Sequence, residues 1–346
     1  MCKAHQLFML NIKKRKRGVG VGKRVLITGI TGFAGSHLMD YLLENTDYEI
    51  WGIKRTNSSL RNIHHALDQV HLLDADLLDE TSLIRVFNKV HPEQIYHLGA
   101  LSWVTPSWDM PAVYMQTNAV GTINLFEAMR QTNCSARVLT SATPEEFGDV
   151  PPEMIPITEE TRIKPINPYA ASKVAQDMVC ITYHASYGMD IVRTRAFNHE
   201  GPRRDIHGAI ASFAYQIARI EHDQQQPIIK VGNLSATRNF TDVRDTVRAY
   251  YLAMEKGESG DLYLIGTEQI YTMEQMLNML ISYSSRAESI QVEVDPERVR
   301  PTELMTFIGD YSKFKKQTGW EIRYGIDETL KSVLDYWREF VDKKMY

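Results

Sequence analysis

The chain has 346 residues, 43% of them hydrophobic, and a formal net charge of -4, enough for a sizeable core in one large or two closely joined domains. So small a charge gives no general attraction to nucleic acid or to an anionic membrane, and any anionic ligand has to be held by a local basic cluster. Cys2, Cys134 and Cys180 stand in no paired spacing, which excludes a disulfide framework or a cysteine zinc site and points to a reducing, cytoplasmic setting.

At the N-terminus an apolar run at 7–10 precedes a basic tract at 13–17, the reverse of the order in a secretory signal. Residues 1–22 therefore read as an unstructured tail. Folding is expected to begin with Arg24-Val25-Leu26-Ile27-Thr28, a buried strand, followed by a helix over 36–44 with apolar residues at helical spacing. Apolar strands at 49–53, 70–73, 94–98, 137–140 and 191–195 alternate with helical stretches such as 82–90 and 113–130. This alternation predicts an α/β fold with a doubly wound parallel sheet of Rossmann type, spanning 23–198. Residues 199–346 read as a smaller mixed α/β domain, with helices at 211–221 and 242–256, a strand at 228–231, and crossovers between the two parts. A substrate cleft is expected between them, at the carboxyl ends of the strands.

Between the first strand and helix lies Thr28-Gly29-Ile30-Thr31-Gly32-Phe33-Ala34-Gly35. Three glycines there let the chain turn tightly, bring backbone amides against a pyrophosphate and pack the helix on the sheet, so this loop is read as a dinucleotide site. After the second strand the sequence places Arg55 and neighbouring hydroxyls where a carboxylate would bind a ribose 2′-hydroxyl, which favours NADP over NAD. Asp76 and Leu77 are placed to meet the adenine, and Leu98 and Ala100 to line the cofactor floor.

Tyr169 and Lys173 lie four apart at the start of a predicted helix, on one face. A phenol beside a cation can take a proton from a sugar hydroxyl as hydride leaves the carbon. His199, in an arginine-rich loop segment, reads as a structural histidine.

Together these features resemble the extended short-chain dehydrogenase/reductase superfamily from about residue 23 to the C-terminal region. Within it the chain is similar to the enzymes that convert GDP-mannose to deoxyhexoses. The likeness rests on Gly52-Ile53-Lys54-Arg55, on Phe197-Asn198-His199-Glu200-Gly201-Pro202-Arg203-Arg204, on Val231-Gly232-Asn233-Leu234 with 238–245, and on Arg300-Pro301-Thr302-Glu303. The resemblance implies that Arg204 and Arg238 neutralise the substrate pyrophosphate, that Ser102 and Asn198 bond the sugar or phosphate, and that Val231 meets the base. Arg300 and Glu303 would hold the nucleotide ribose and phosphates. It also implies a homodimer or homotetramer, with helices 113–130 and 169–183 forming a four-helix interface.

Thr143-Pro144-Glu145-Glu146-Phe147-Gly148 bears on the reaction. In the family's 4,6-dehydratases the threonine steadies the 4-oxygen and the glutamate at the Glu145 position works on C5 and C6. Pro144 departs from the Asp or Ser usual in dehydratases, and 216–245 also looks like the related 4-keto-6-deoxymannose reductases. The resemblance implies a GDP-mannose 4,6-dehydratase, with an NADPH-dependent reductase making GDP-rhamnose, a nucleotide-sugar 4-epimerase and a non-enzymatic NADP-binding redox sensor as the alternatives. The intact Tyr169, Lys173 and Thr143 weigh against the last, because a sensor has no use for a proton relay.

Overall fold

The computed structural model describes residues 22–298 and 306–343. The tail expected over 1–22, apart from Gly22, lies outside the described residues, as do Arg300 and Glu303. Six strands alternate with helices in the first part: β1 (Arg24–Thr28), β2 (Glu49–Lys54), β3 (His71–Asp74), β4 (Gln94–His97), β5 (Arg137–Ala142) and β6 (Ile191–Ala196). After them come β7 (His199–Glu200), β8 (Ile228–Val231), β9 (Thr237–Asn239), β10 (Thr241–Asp242) and β11 (Leu262–Ile265). The main sheet is seven-stranded and parallel, in the order β11-β6-β5-β4-β1-β2-β3.

Burial on both faces explains the near-continuous apolar strands. In β1, Val25 and Ile27 join one helix layer, with the Phe33–Asn45 and Val243–Lys256 helices, while Leu26 joins the other, with Glu80–Val90 and Gly121–Gln131. Each such side chain contributes roughly 1.5–3 kcal/mol by leaving water. Strand order reverses between β1 and β4, and the carboxyl ends there open the crevice where ligands bind in such sheets.

Beyond residue 198 the chain crosses back: the Val243–Lys256 helix packs on the sheet and β11 lies beside β6, with Ile265 opposite Ala196. β11 is not among the strands expected from the sequence: it is only four residues long and follows the Val243–Lys256 helix, outside the run of strands and helices that ends with β6. The remaining segments form a second core around Phe213, Ile217, Leu277, Leu334 and Trp337. It carries the Ala209–Glu221, Met273–Ser282 and Ile326–Asp342 helices. Two small sheets pair β8 with β13 (Gln291–Val294), and β9 with β12 (Ile270–Thr272) and β14 (Thr306–Phe307).

The helix expected over 113–130 is interrupted. Pro111–Met115 and Gly121–Gln131 are α-helical, and Gln116–Val120 between them forms a π-turn. Such turns often accompany functional sites, and this one aims Asn118 inward.

Candidate active site

The glycine loop turns where β1 ends. Gly29 has φ +73°, and a Cβ there would stand 2.9 Å from the Gly99 backbone. A Cβ on Gly35 would lie 2.1 Å from the Gly29 carbonyl oxygen, so neither position admits a side chain. The Gly32 N–H donates to Gly29 O at 2.9 Å, and the Phe33–Asn45 helix starts there. Thr31, Phe33 and Ala34 are half-buried around this helix N-terminus and Gly32 is exposed. That arrangement suits an anionic diphosphate.

The other expected cofactor residues gather at neighbouring strand ends. Thr28 pairs with Ile53 on one side and with His97 on the other, which sets Arg55 and the 98–100 turn beside the glycine loop. Arg55 is exposed, and among the described residues its guanidinium has no ion-pair partner, whereas Lys54 pairs with Asp74 at 2.5 Å. Asp76 Oδ1 accepts the Leu78 N–H at 2.9 Å, and buried Leu77 packs beneath Gly99 and Gly121. Leu98 and Ala100 are half-buried beside Gly99, whose N–H donates to Thr28 Oγ1 at 2.9 Å.

His97 supports this floor, a role the sequence did not reveal. It is 1% exposed and bridges Thr28 Oγ1 at 2.8 Å and Thr122 Oγ1 at 2.9 Å. Thr122 gives its own hydrogen to Asn118 O at 2.7 Å, so His97 Nε2–H donates to Thr122 and Nδ1 accepts from Thr28. Burial, aided by the Lys173 charge, lowers His97 to about 3 and keeps it neutral, as this pattern requires. Asn118 in turn donates to Leu101 O and Ser172 Oγ, both at 2.9 Å, and Ser172 donates to Tyr169 O at 2.7 Å. A continuous chain of hydrogen bonds thus runs from the glycine-loop floor to Tyr169.

Tyr169 and Lys173 lie buried on the Pro168–Tyr187 helix. Asn167 caps it, its Oδ1 accepting the Ala170 N–H at 2.7 Å, and Pro168 fills the first position, where no N–H is needed. The Asn167 amide also donates to Glu145 Oε2 at 3.0 Å. One residue therefore starts the catalytic helix and orients the candidate base; an Asn-Pro helix start was the available signal.

Thr143 caps the short turn Pro144–Phe147, with Pro144 at its first position. Proline is tolerated there because that N–H would be unsatisfied anyway. Buried Pro144 places no polar side chain beside the site. Burial raises the Tyr169 phenol well above its ordinary value, while a hydrogen bond with Thr143 and the charge of Arg204 pull it down. The Lys173 ammonium donates to Ser141 O at 2.5 Å and to Gln176 Oε1. Burial brings Lys173 down to about 8, opposed by Glu146, Cys180 and Asp177.

Arg204 reaches the site with its guanidinium 5.0 Å from the ring centres of both Phe33 and Trp103. Asn198 is half-buried at the end of β6, its carbonyl accepting the Thr241 N–H at 2.9 Å, and Ser102 is exposed on the loop after β4. Arg238 lies 5.4 Å over the Phe307 ring, which meets Phe197 edge-on at 6.2 Å, so it packs against the small cluster that these two rings form with Tyr311. Val231 lies in the second core, its side chain 0% exposed because alternate β8 residues face inward, and its carbonyl accepts the Asp295 N–H at 2.8 Å. His199 is a structural residue: its Nδ1 lies 3.0 Å from Phe197 O, its ring stacks on Phe33, and burial lowers it to about 4.

A doubly wound sheet with a glycine-loop dinucleotide site and a buried Tyr/Lys pair at its crevice defines a short-chain dehydrogenase/reductase of the extended type. The family model described as GDP-mannose 4,6 dehydratase matches residues 26–333, and the chain belongs to that family. It is 32% identical to GDP-mannose 4,6 dehydratase 1 of Arabidopsis thaliana over 90% of this chain and 89% of that one. To the GDP-6-deoxy-D-mannose reductase of Pseudomonas aeruginosa it is 30% identical over 92% and 98%. Among solved structures it resembles RMD from Pseudomonas aeruginosa complexed with NADPH, with TM-score 0.79 and 28% identity over 92% of this chain and 99% of that one. It also resembles a Thermotoga maritima UDP-glucose 4-epimerase with UDP-glucose, with TM-score 0.82 at the same identity and coverage.

Proposed function

We propose that the protein is a GDP-mannose 4,6-dehydratase using NADP. The observation that carries this reading is the convergence of Thr143, Glu145 and Tyr169, with Asn167 bonded both to Glu145 and to the start of the Tyr169 helix. The glycine cradle fits a dinucleotide diphosphate, and Arg55 fits a 2′-phosphate. Lys173 would hold the nicotinamide ribose. Held there, NADP would supply a hydride acceptor for C4 of the sugar and, once reduced, a hydride donor for C6.

Tyr169 takes the proton of the C4 hydroxyl, and Thr143 steadies that oxygen. The C5 hydrogen beside the new ketone is acidic, and Glu145 removes it. Glu145 then delivers this proton to the departing C6 hydroxyl, which leaves as water; as hydride reaches C6 a proton from solvent returns to C5, and Tyr169 gives up the C4 proton to solvent. Sugar and water balance as GDP-mannose giving GDP-4-keto-6-deoxymannose. Arg204 and Arg238 would neutralise the diphosphate with their guanidinium forks.

A second reading, reduction of the 4-keto-6-deoxy sugar, is favoured by Pro144, which leaves no second polar side chain beside Glu145. Tyr169 would then donate its proton to the 4-keto oxygen.

The deciding experiment supplies GDP-mannose and catalytic NADP in deuterated water and follows the sugar nucleotide by mass spectrometry. Loss of water with deuterium entering C5, faster with NADP than with NAD, is the expected result. No reaction, with NADPH consumed when the 4-keto-6-deoxy compound is added, establishes the reductase instead.

The family helices also suggest self-association. Val113, Met115 and Val120 on one segment and Met178, Ile181 and Tyr187 on the other are exposed, an apolar set that a second copy of this chain would cover. Sedimentation at micromolar concentration is expected to give a dimer or larger, and Met178→Glu with Ile181→Glu to give a monomer. A monomeric wild type removes this interface.

A further inference from the structure

Two adjacent glutamates follow Pro144, and the structure gives them opposite surroundings. Glu145 is half-buried and bonded to Asn167. Glu146 is 0% exposed and faces away, into a set of buried charges. Its Oε1 accepts the Thr143 backbone N–H at 3.2 Å, and its Oε2 accepts Arg195 Nε at 2.8 Å. The same guanidinium, 2% exposed, reaches Asp177 Oδ2 at 2.8 Å, and Asp177 also takes Arg193 at 3.0 Å. Two carboxyl groups and two guanidiniums therefore meet in a volume almost closed to water, where burial pushes Glu146 up to about 7 against the pull of Arg195, so its charge is complete on the alkaline side, where Lys173 titrates. Burying such a set is costly unless geometry and hydrogen bonds are good, so its location is informative.

The members come from three neighbouring elements. Glu146 lies on the turn that presents Thr143 and Glu145, and Arg195 lies on β6. Asp177 lies on the Tyr169/Lys173 helix, one turn beyond Lys173. We infer that Glu146 is a positioning residue: through Arg195 and Asp177 it locks the Thr143–Glu145 turn to the Tyr169/Lys173 helix, and its negative charge holds the Lys173 ammonium. The inference rests on the proposed roles of Thr143, Glu145, Tyr169 and Lys173.

The groups facing Lys173 are Glu146 from the turn, Asp177 and Cys180 from its own helix, and neutral His97 from β4. After burial, Glu146 has the largest influence on Lys173, raising its pKa. Removing that charge leaves only Asp177 and Cys180 to oppose the effect of burial on Lys173. The ammonium then gives up its proton at lower pH, and the turn loses its anchor.

The test compares Glu146→Gln, which keeps the shape and removes the charge, with Glu146→Asp, which keeps the charge. NADPH binding by fluorescence and sugar turnover are both followed against pH in the full chain. For Glu146→Gln, NADPH affinity at about pH 6, below the shifted limb, stays at the wild-type level, and kcat falls about 10²-fold from misplacement of the turn with little change in KM. Its alkaline limb, in binding and in turnover, moves down by about one pH unit. Glu146→Asp lowers kcat but leaves the limb in place.

A Glu146→Gln enzyme with wild-type kcat and an unmoved limb overturns the inference. Should Glu146→Gln fail to fold, Glu146→Gln with Arg195→Met buries no extra charge and takes its place. Low kcat in that pair supports the inference, and wild-type kcat defeats it. A wild type inert on both sugars counts against the proposed function alone, and the NADPH-binding limb still reports on Glu146.

Discussion

Tyr169→Phe lowers turnover by about 10²- to 10⁴-fold, the range set by loss of a positioned proton-transfer group, and leaves NADPH binding nearly intact. The phenol ring fills a buried place, meeting Tyr114 edge-on at 6.3 Å, and phenylalanine keeps that packing. What disappears is the hydroxyl beside Thr143. In the resting site burial holds this phenol up, while Thr143 and Arg204 ease its ionisation, so Tyr169 is protonated across neutral pH and ready to donate; to act as a base it needs the further positive charge that a bound oxidised nicotinamide would bring. The cation four residues on has its own limit. Burial sets Lys173 at about 8, so its charge is present below that pH and is lost above it. Wild-type turnover is therefore expected to fall on the alkaline side from about that pH. Steady-state kinetics against pH, with fluorescence titration of NADPH, checks both statements. Undiminished turnover in Tyr169→Phe removes the residue from proton transfer.

Local chemistry made much of this site readable. The glycine loop is legible because positive φ at Gly29 and the close approach at Gly35 demand glycine itself, and Tyr169 and Lys173 because four residues make one helical turn. Strands β1 to β6 are legible because each carries a short apolar run, such as Val25-Leu26-Ile27, and these runs alternate with helical stretches. What escaped depends on contacts across the chain. His97 bonds Thr28 from 69 residues away, and Glu146 meets Arg195 across 49, distances over which no spacing rule operates. β11 escaped for a related reason: it enters the sheet only because β6 offers an edge. Val231 shows the opposite limit, since a motif match names a position without saying which way its side chain points.

Glu145→Gln separates the two chemistries that the family comparison leaves side by side. Glutamine has the same reach and can still accept from Asn167, so the turn and helix start keep their shape. It cannot take a proton from C5. With Pro144 locked at the first position of its turn, no neighbouring side chain there substitutes, and a dehydratase loses about 10²- to 10⁴-fold in water elimination. Deuterium incorporation at C5 disappears with it. A reductase needs no base at C5, so the same substitution changes its rate only by the loss of a nearby charge, a few-fold effect. The outcome is read by mass spectrometry for the first activity and by NADPH consumption for the second. A large loss of elimination assigns Glu145 as the base acting at C5 and C6. Elimination that persists in Glu145→Gln moves the base elsewhere, and an intact reduction rate without elimination in the wild type makes Pro144 the residue that marks this chain as a reductase.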